Sequence, residues 1–201
     1  MNYRTVRVHP TAEVASSASI GAGTTIWNQA QVREGARIGA GCVIGKNVYV
    51  DTDVVVGDLV RVQNNVSLYH GVTLEDAVFI GPHVCFTNDK VPRAVNADGS
   101  AKTDDDWEVS PILVRYGAAV GANSTILPGV TIGRWAMIGS GSVVTRDVDN
   151  FELVVGNPAR RIGSVCPCGQ SLADLEDGSA FSGRCPGCGT HFPPVGDADL
   201  P

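Results

Sequence analysis

The sequence predicts an all-β solenoid, a coil of very short stacked strands, interrupted by one long loop and followed by a small cysteine-bearing appendage. Three observations predict it. An aliphatic residue recurs every six positions from Val8 to Ile80, Phe86 takes the next slot, and the pattern returns from Val114 to Val144. Four positions after each anchor stands a small or β-branched residue, as at Ala12, Thr24, Cys42, Val66 and Val84, and again at Ala118, Ser124 and Ala136. Beyond the last repeat come two cysteine pairs, Cys166 with Cys168 and Cys185 with Cys188. Period six is neither the helical period nor plain strand alternation. A unit this short cannot bury its apolar residue alone, so stacked coils must share one aliphatic core. A β-sandwich would space its strands irregularly, at about 8–12 residues, and the strict period argues against it.

Length and composition set further bounds. The 201 residues suit one large domain, expected over residues 6–165, and a small one over 166–192, with a disordered tail at 193–201. A net charge of −6 gives no electrostatic support to nucleic-acid binding. No apolar run approaches the roughly 18 residues of a membrane span, so no membrane association is expected. The opening "MNYRTVRVHP" lacks the apolar core of a signal peptide, and a cytoplasmic location is expected. There the six cysteines would stay reduced rather than form disulfides.

The tandem pattern of aliphatic residue, Gly and small residue resembles the left-handed parallel β-helix of the hexapeptide acyltransferases, over roughly residues 6 to 165. That resemblance implies three six-residue sides per coil, eighteen residues per turn, and a homotrimer. With that step, Asn88 falls directly above His70, about 4.8 Å away, and Asp89 falls above Gly71. The polar residues Gln63, Asn64, Asn65, Tyr69, His70, Asn88 and Asp89 are then expected to converge where the loop at about 87–113 leaves the coil. A loop that long is more often functional than idle. Asn64 and Asn65 also suit turn positions, and a lone surface His is usually solvated. Cys42 falls in a core slot and reads as a buried apolar residue.

A narrower resemblance rests on "VQNNVSLYHGVTLEDAVFIGPHVCFTNDKVPR", "GAAVGANSTILPGVTIG" and "VVGNPARRIG". These are similar to the acetyl-CoA-dependent N-acetyltransferases acting on nucleotide-linked amino sugars for surface polysaccharides or glycosylated metabolites. The resemblance implies acetyl-CoA as cosubstrate and the 3-amino group of a UDP- or dTDP-linked sugar as acceptor. O-acetyl transfer and longer acyl donors are the alternatives. The chain departs from the pattern at His70, where relatives often carry an acidic or amide residue.

Acetyl transfer needs a neutral amine, an oriented thioester and a stabilised oxyanion. His70 is the candidate proton acceptor and Asn88 and Asp89 are positioning groups, Asp89 facing the ammonium; the departing thiolate is the rival acceptor. Gln63, Asn65, Tyr69, His83 and Arg93 are the candidate sugar-nucleotide contacts, His83 being equally suited to a subunit boundary. For the cosubstrate, Arg134, Arg160 and Arg161 would meet phosphates. The small residues Ala118, Gly121 and Gly139 would admit the pantetheine arm.

The cysteine pairs, each followed by Gly, make the knuckle pattern of a four-cysteine zinc ribbon, although the first is C-x-C where C-x-x-C is commoner. A segment this short has too little core to fold alone, so a structural zinc is expected, with rubredoxin-like iron as runner-up and His191 as a spare ligand. Rival functions fit less well. A carbonic-anhydrase-like β-helix needs three converging histidines, and only His9, His70 and His83 lie in or beside the repeats. A sugar nucleotidyltransferase would carry an α/β domain ahead of repeats that here begin at residue 8. A purely structural solenoid would show long exposed Thr rows and no polar loop.

Overall fold

The computed structural model describes residues 5–103, 106–173 and 181–192. Each repeat forms a two-residue strand whose second member is the aliphatic anchor, as in Thr25–Ile26, Val43–Ile44 and Arg61–Val62. The anchor points inward and the residue before it points out, which is ordinary strand alternation. Three sheets of ten, seven and six strands run along the coil among the described residues. Arg7–Val8 pairs in parallel with Thr25–Ile26 in the first, Glu13–Val14 with Gln31–Val32 in the second, and Ser19–Ile20 with Arg37–Ile38 in the third. Partners across coils stand 18 residues apart. The chain is a left-handed parallel β-helix, the fold class expected from its repeats.

The anchors and the small slots both face the interior. Ile44, Leu68, Ile80, Phe86 and Ile126 are fully buried, as are Ala36, Cys42 and Ala118 between the faces. Burying each anchor contributes roughly 1.5–3 kcal/mol, and the stack works because every coil covers its neighbour. Chain direction changes at three edges through residues in the left-handed backbone region. One edge carries Asn47, Asn65, His83 and Asn123, with φ of 58°, 60°, 60° and 58°. Another carries Leu59, Ala77 and Trp135, where the backbone is strained for an ordinary side chain.

The break in the repeat is an insertion at one edge. Leu68 pairs with Phe86 at the usual step, but Val72 pairs with Ile112, so the step grows to 40 residues. The coil resumes in register because Ser110 N donates to Asn88 O at 3.4 Å and Ile112 N donates to Gly71 O at 3.1 Å. The loop therefore occupies 89–110, slightly narrower than the expected 87–113. It carries its own small turn, with Val95 bridged to Ala101 and Asn96 N donating to Ser100 O at 2.9 Å.

At the far end the topology changes. Strand Glu152–Val155 continues the first sheet in parallel with Met137–Ile138, and Arg160–Val165 then runs antiparallel to it. Ser171–Leu172 adds to that edge, and Gly183–Arg184 pairs with His191–Phe192 in a separate ribbon. The sheet thus crosses the expected domain boundary between residues 165 and 166. The tail at 193–201 lies outside the described residues. Among the described residues no helix is long and apolar enough to cross a membrane.

Candidate functional site

The edge between the second and third faces gathers polar side chains that no core position can take. After each second-face anchor the chain turns outward: Val50 is followed by Asp51 and Thr52, Leu68 by Tyr69 and His70, Phe86 by Thr87 and Asn88. Stacking then puts each pair over the last. Asp51 is held by Tyr49, whose hydroxyl donates to Oδ1 at 3.0 Å, and by the Thr52 amide at 2.8 Å. Burial, and then the hydrogen bond to Asp51, raise the Tyr49 hydroxyl above its ordinary value, so it stays a donor. The other carboxylate oxygen of Asp51 accepts from the His70 amide at 3.2 Å.

His70 Nδ1 lies 2.9 Å from the carbonyl oxygen of Thr52. A carbonyl only accepts, so Nδ1 carries the proton in the neutral ring and Nε2 keeps its lone pair. The Thr52 hydroxyl sits 3.4 Å from the same nitrogen. One tautomer is thereby selected, and it is the one that leaves a proton acceptor at the outer end of the ring. Tyr69, 37% exposed, packs its ring on Tyr49 with centroids 5.8 Å apart.

Asn88 lies one coil above His70, two residues beyond the Leu68–Phe86 pair. Its carbonyl closes the base of the loop, and its side-chain amide takes no hydrogen bond among the described residues. Asp89 follows at the first loop position. Its Oδ1 accepts from the Val91 amide at 2.7 Å, while Oδ2 is buried with no partner. A buried, unpaired carboxylate oxygen is costly, and a cationic ligand would satisfy it. Asp89 and Lys90 line two adjoining clefts. One, of about 460 Å³, is walled by Thr87, Leu127, Pro128, Gly129 and Arg146; the other, of about 240 Å³, is walled by Lys102, Asp106, Glu108 and Ser110.

The structure brings together Tyr69, His70, Asn88 and Asp89, and separates the rest of the expected cluster. Gln63, Asn65 and His83 stand at the edge between the first and second faces, one side of the triangle away. There Asn47 Nδ2 donates to Asn65 Oδ1 at 3.0 Å, and Asn65 Nδ2 stands 3.3 Å from His83 Nε2. These residues form an amide and imidazole ladder along a turn row, so within one chain they do not meet His70. Arg93 is exposed in the loop and donates to Pro92 O at 2.8 Å.

The cosubstrate candidates are dispersed in the same way. Ala118 is fully buried in the core, and its amide and carbonyl are both bonded to backbone, so it presents nothing to a ligand. Gly121 and Gly139 owe their lack of a side chain to coil stacking. A Cβ would come within 2.5 Å of Ser140 N at Gly121 and of Val155 Cγ1 at Gly139. Arg134 lies over the Tyr116 ring at 5.5 Å, on the edge between the third and first faces. Arg160 and Arg161 lie at the start of strand Arg160–Val165, donating to Ala159 O at 2.9 Å and Ser164 Oγ at 3.1 Å. Sequence reasoning missed Asp51 and Thr52 as partners of His70. The eighteen-residue step that put Asn88 above His70 also puts Thr52 below it, so the signal was there.

A second constellation lies at the C-terminal end. The Sγ atoms of Cys166, Cys168, Cys185 and Cys188 all lie within 4.8 Å of one another, with Cys166–Cys188 at 3.5 Å and Cys168–Cys185 at 3.7 Å. A tetrahedral metal with bonds of about 2.3 Å to sulfur would set thiolates about 3.8 Å apart, so the donor set fits. Hydrogen bonds from Thr190 hold the Cys188 thiol down at about 6, and burial pushes Cys166 up to about 12. Four sulfurs this close cannot all ionise without a cation among them.

The sequence pattern described as "Bacterial transferase hexapeptide (six repeats)" matches residues 17–52, 35–68 and 117–146. Over 65 residues the chain is 49% identical to the dTDP-3-amino-3,6-dideoxy-alpha-D-galactopyranose 3-N-acetyltransferase of Aneurinibacillus thermoaerophilus, covering 32% of this chain and 34% of that protein. Over 126 residues it is 33% identical to serine acetyltransferase 2 of Arabidopsis thaliana, covering 63% of this chain and 31% of that one. The matches thus span about a third of each curated relative. Among solved structures, PerB of Caulobacter crescentus, in complex with CoA and GDP-perosamine, aligns with a TM-score of 0.51 at 22% identity, covering 80% of this chain and 58% of that one. LpxA of Bacteroides fragilis, a UDP-N-acetylglucosamine acyltransferase, aligns with a TM-score of 0.64 at 17% identity, covering 80% and 62%. At these identities the structural likeness establishes the fold.

Proposed function

We propose, for a left-handed β-helix that carries bacterial-transferase hexapeptide repeats, transfer of an acetyl group from acetyl-CoA to the amino group of a nucleotide-linked amino sugar. The observation that carries this reading is His70, locked with its proton on Nδ1 by the Thr52 carbonyl and stacked one coil below Asn88 and the orphan oxygen of Asp89. The similarity to a dTDP-3-amino-sugar N-acetyltransferase supports the acceptor class.

In this reading Asp89 Oδ2 draws the substrate ammonium to the foot of the cleft, over His70, and loss of one proton to solvent frees the amine. The nitrogen attacks the thioester carbonyl, His70 Nε2 takes the second amine proton, the C–S bond breaks, and the proton passes on to the leaving thiolate. The Asn88 amide orients the acceptor, and orientation supplies much of the rate. The cleft above Asn88, walled by Leu127, Pro128 and Gly129, is the proposed lodging for the acyl donor.

The Asn65–His83 edge lies away from His70 within one chain, so the reading takes a homotrimer in which a neighbour's edge completes the site. Sedimentation showing only a monomer at micromolar protein would remove that second edge. We also take the four-cysteine cluster as a structural zinc site, since four thiolates complete a tetrahedral shell and leave no open position for chemistry. The serine acetyltransferase likeness favours a second reading, O-acetylation of a small hydroxyl substrate.

One assay separates the two: thiol release from acetyl-CoA against UDP-, dTDP- and GDP-linked amino sugars, with serine as the rival acceptor. Turnover with a nucleotide-linked amine and none with serine is expected; serine turnover alone would overturn the proposal. Asn88→Ala should lower kcat/KM roughly 10- to 1,000-fold, and equal activity would remove this residue from the site.

A further inference from the structure

A stack of parallel coils ends in an open backbone edge and an exposed apolar interior, and both must be covered. The two ends of this helix differ. At the first coil Val8 is 44% exposed, whereas at the last Val144 and Val154 are 1% and 3% exposed. What covers the last coil is a short return of the chain. Val143 N donates to Gly156 O at 2.9 Å, and Ala159 N donates to Val143 O at 2.8 Å. Gly156 N donates to Ser142 Oγ at 3.1 Å. These bonds close the free edge of Val143–Val144 and lay Ala159, 5% exposed, across the core.

The return is held in turn by the two strands that come after it. Strand Arg160–Val165 folds back antiparallel on Glu152–Val155, and Ser171–Leu172 folds back on that strand. Beyond them a second, small core gathers Cys166, Leu172, Cys185 and Phe192. It is joined to the helix by Phe151, whose ring meets Phe192 edge-on at 5.7 Å and whose carbonyl accepts from Val165 N at 2.8 Å. Four buried residues are too few to hold such a segment by apolar burial alone. A cross-link must supply the rest, and all six cysteines are free of disulfides.

The local backbone is built for that cross-link to be a metal. Gly169 and Gly189, directly after the two pairs, take φ of 90° and 76°, the left-handed turn that lets both sulfurs of a pair face one point. Gly187 N donates to Cys185 Sγ at 3.4 Å, the kind of outer hydrogen bond that orients a thiolate ligand.

We propose that Zn²⁺ on Cys166, Cys168, Cys185 and Cys188 locks this segment as the C-terminal cap of the β-helix, so that metal occupancy governs the order of the last coil as well as of the ribbon. The inference rests on the zinc reading above. It gives the metal a task at a distance from itself: keeping the Gly156–Ala159 return seated on Val143.

The test uses the purified full chain. Elemental analysis should find one zinc per chain, and cobalt exchange should give the visible ligand-field bands of a tetrahedral tetrathiolate. Hydrogen exchange is then read at the Val143, Ala159 and Val165 amides before and after chelation, and in Cys188→Ser. Protection there should fall about tenfold or more, while the mid-helix amides of Gln63 and Phe79 keep theirs. Phe192→Ala, which leaves every thiol in place, should keep its zinc and lose protection at Val165. Stoichiometric zinc whose removal deprotects only the ribbon would overturn the cap and leave the zinc reading standing. A chain that neither carries zinc nor takes up cobalt would overturn both.

Discussion

His70→Ala is expected to lower kcat by roughly 100- to 10,000-fold, the usual reach of general-base catalysis, or about 3–5.5 kcal/mol in the barrier. The ring is not a loosely held surface imidazole. Its Nδ1 is tied to the Thr52 carbonyl at 2.9 Å and its amide to Asp51 at 3.2 Å, so the lone pair on Nε2 has a fixed direction. The variant should bind acetyl-CoA as before, because the proposed acyl-donor cleft is walled by Thr87, Leu127, Pro128 and Gly129, and His70 stands one coil below it. An unchanged kcat would hand the proton to the departing thiolate and reduce His70 to a bystander.

Phe86→Ala should be the most damaging core change, costing about 3–5 kcal/mol. Phe86 is fully buried, takes a slot held elsewhere by aliphatic residues, and pairs with Leu68 below and Ile126 above. Its coil is the one broken by the loop, so the neighbours that could relax into the cavity are pinned by the register on both sides. For a chain of this size the loss should lower the melting temperature by roughly 6–20 °C. Because Phe86 adjoins Thr87, whose amide donates to Ile126 O, hydrogen exchange at the Thr87 and Ser110 amides should quicken as well. A melting temperature within experimental scatter of wild type would show that this coil is packed far more loosely than its burial implies.

Much of the fold could be read directly. The six-residue spacing placed Val32, Ile44 and Leu68 in the core, and the small residues between them in the inner slots, including Cys42. The eighteen-residue step set Asn88 over His70 and located the insertion to within a few residues. The same step, applied without exception, would have kept Gln63 and Asn65 apart from His70. Residues meet along an edge only when they differ by a whole coil, and six positions carry the chain to another face. Gly121 and Gly139 also have a packing reason to lack a side chain. The space a Cβ would take at each is occupied by the next coil.

The sequence by itself determined the coil, because burial of an aliphatic residue every sixth position depends only on local spacing and on having a like neighbour above and below. It also determined the cysteine cluster, whose paired spacing is a local property. Tertiary structure alone decided the chemistry at the edge. The protonated nitrogen of His70 is chosen by the Thr52 carbonyl, a group every residue carries and no composition reveals. It likewise decided which ordinary residues must take the left-handed turn, Trp135 and Leu59 among them, since stacked neighbours impose that backbone against the residue's own preference. Apolar burial follows pattern, whereas a polar group's partner is whatever the neighbouring coil brings within hydrogen-bonding distance.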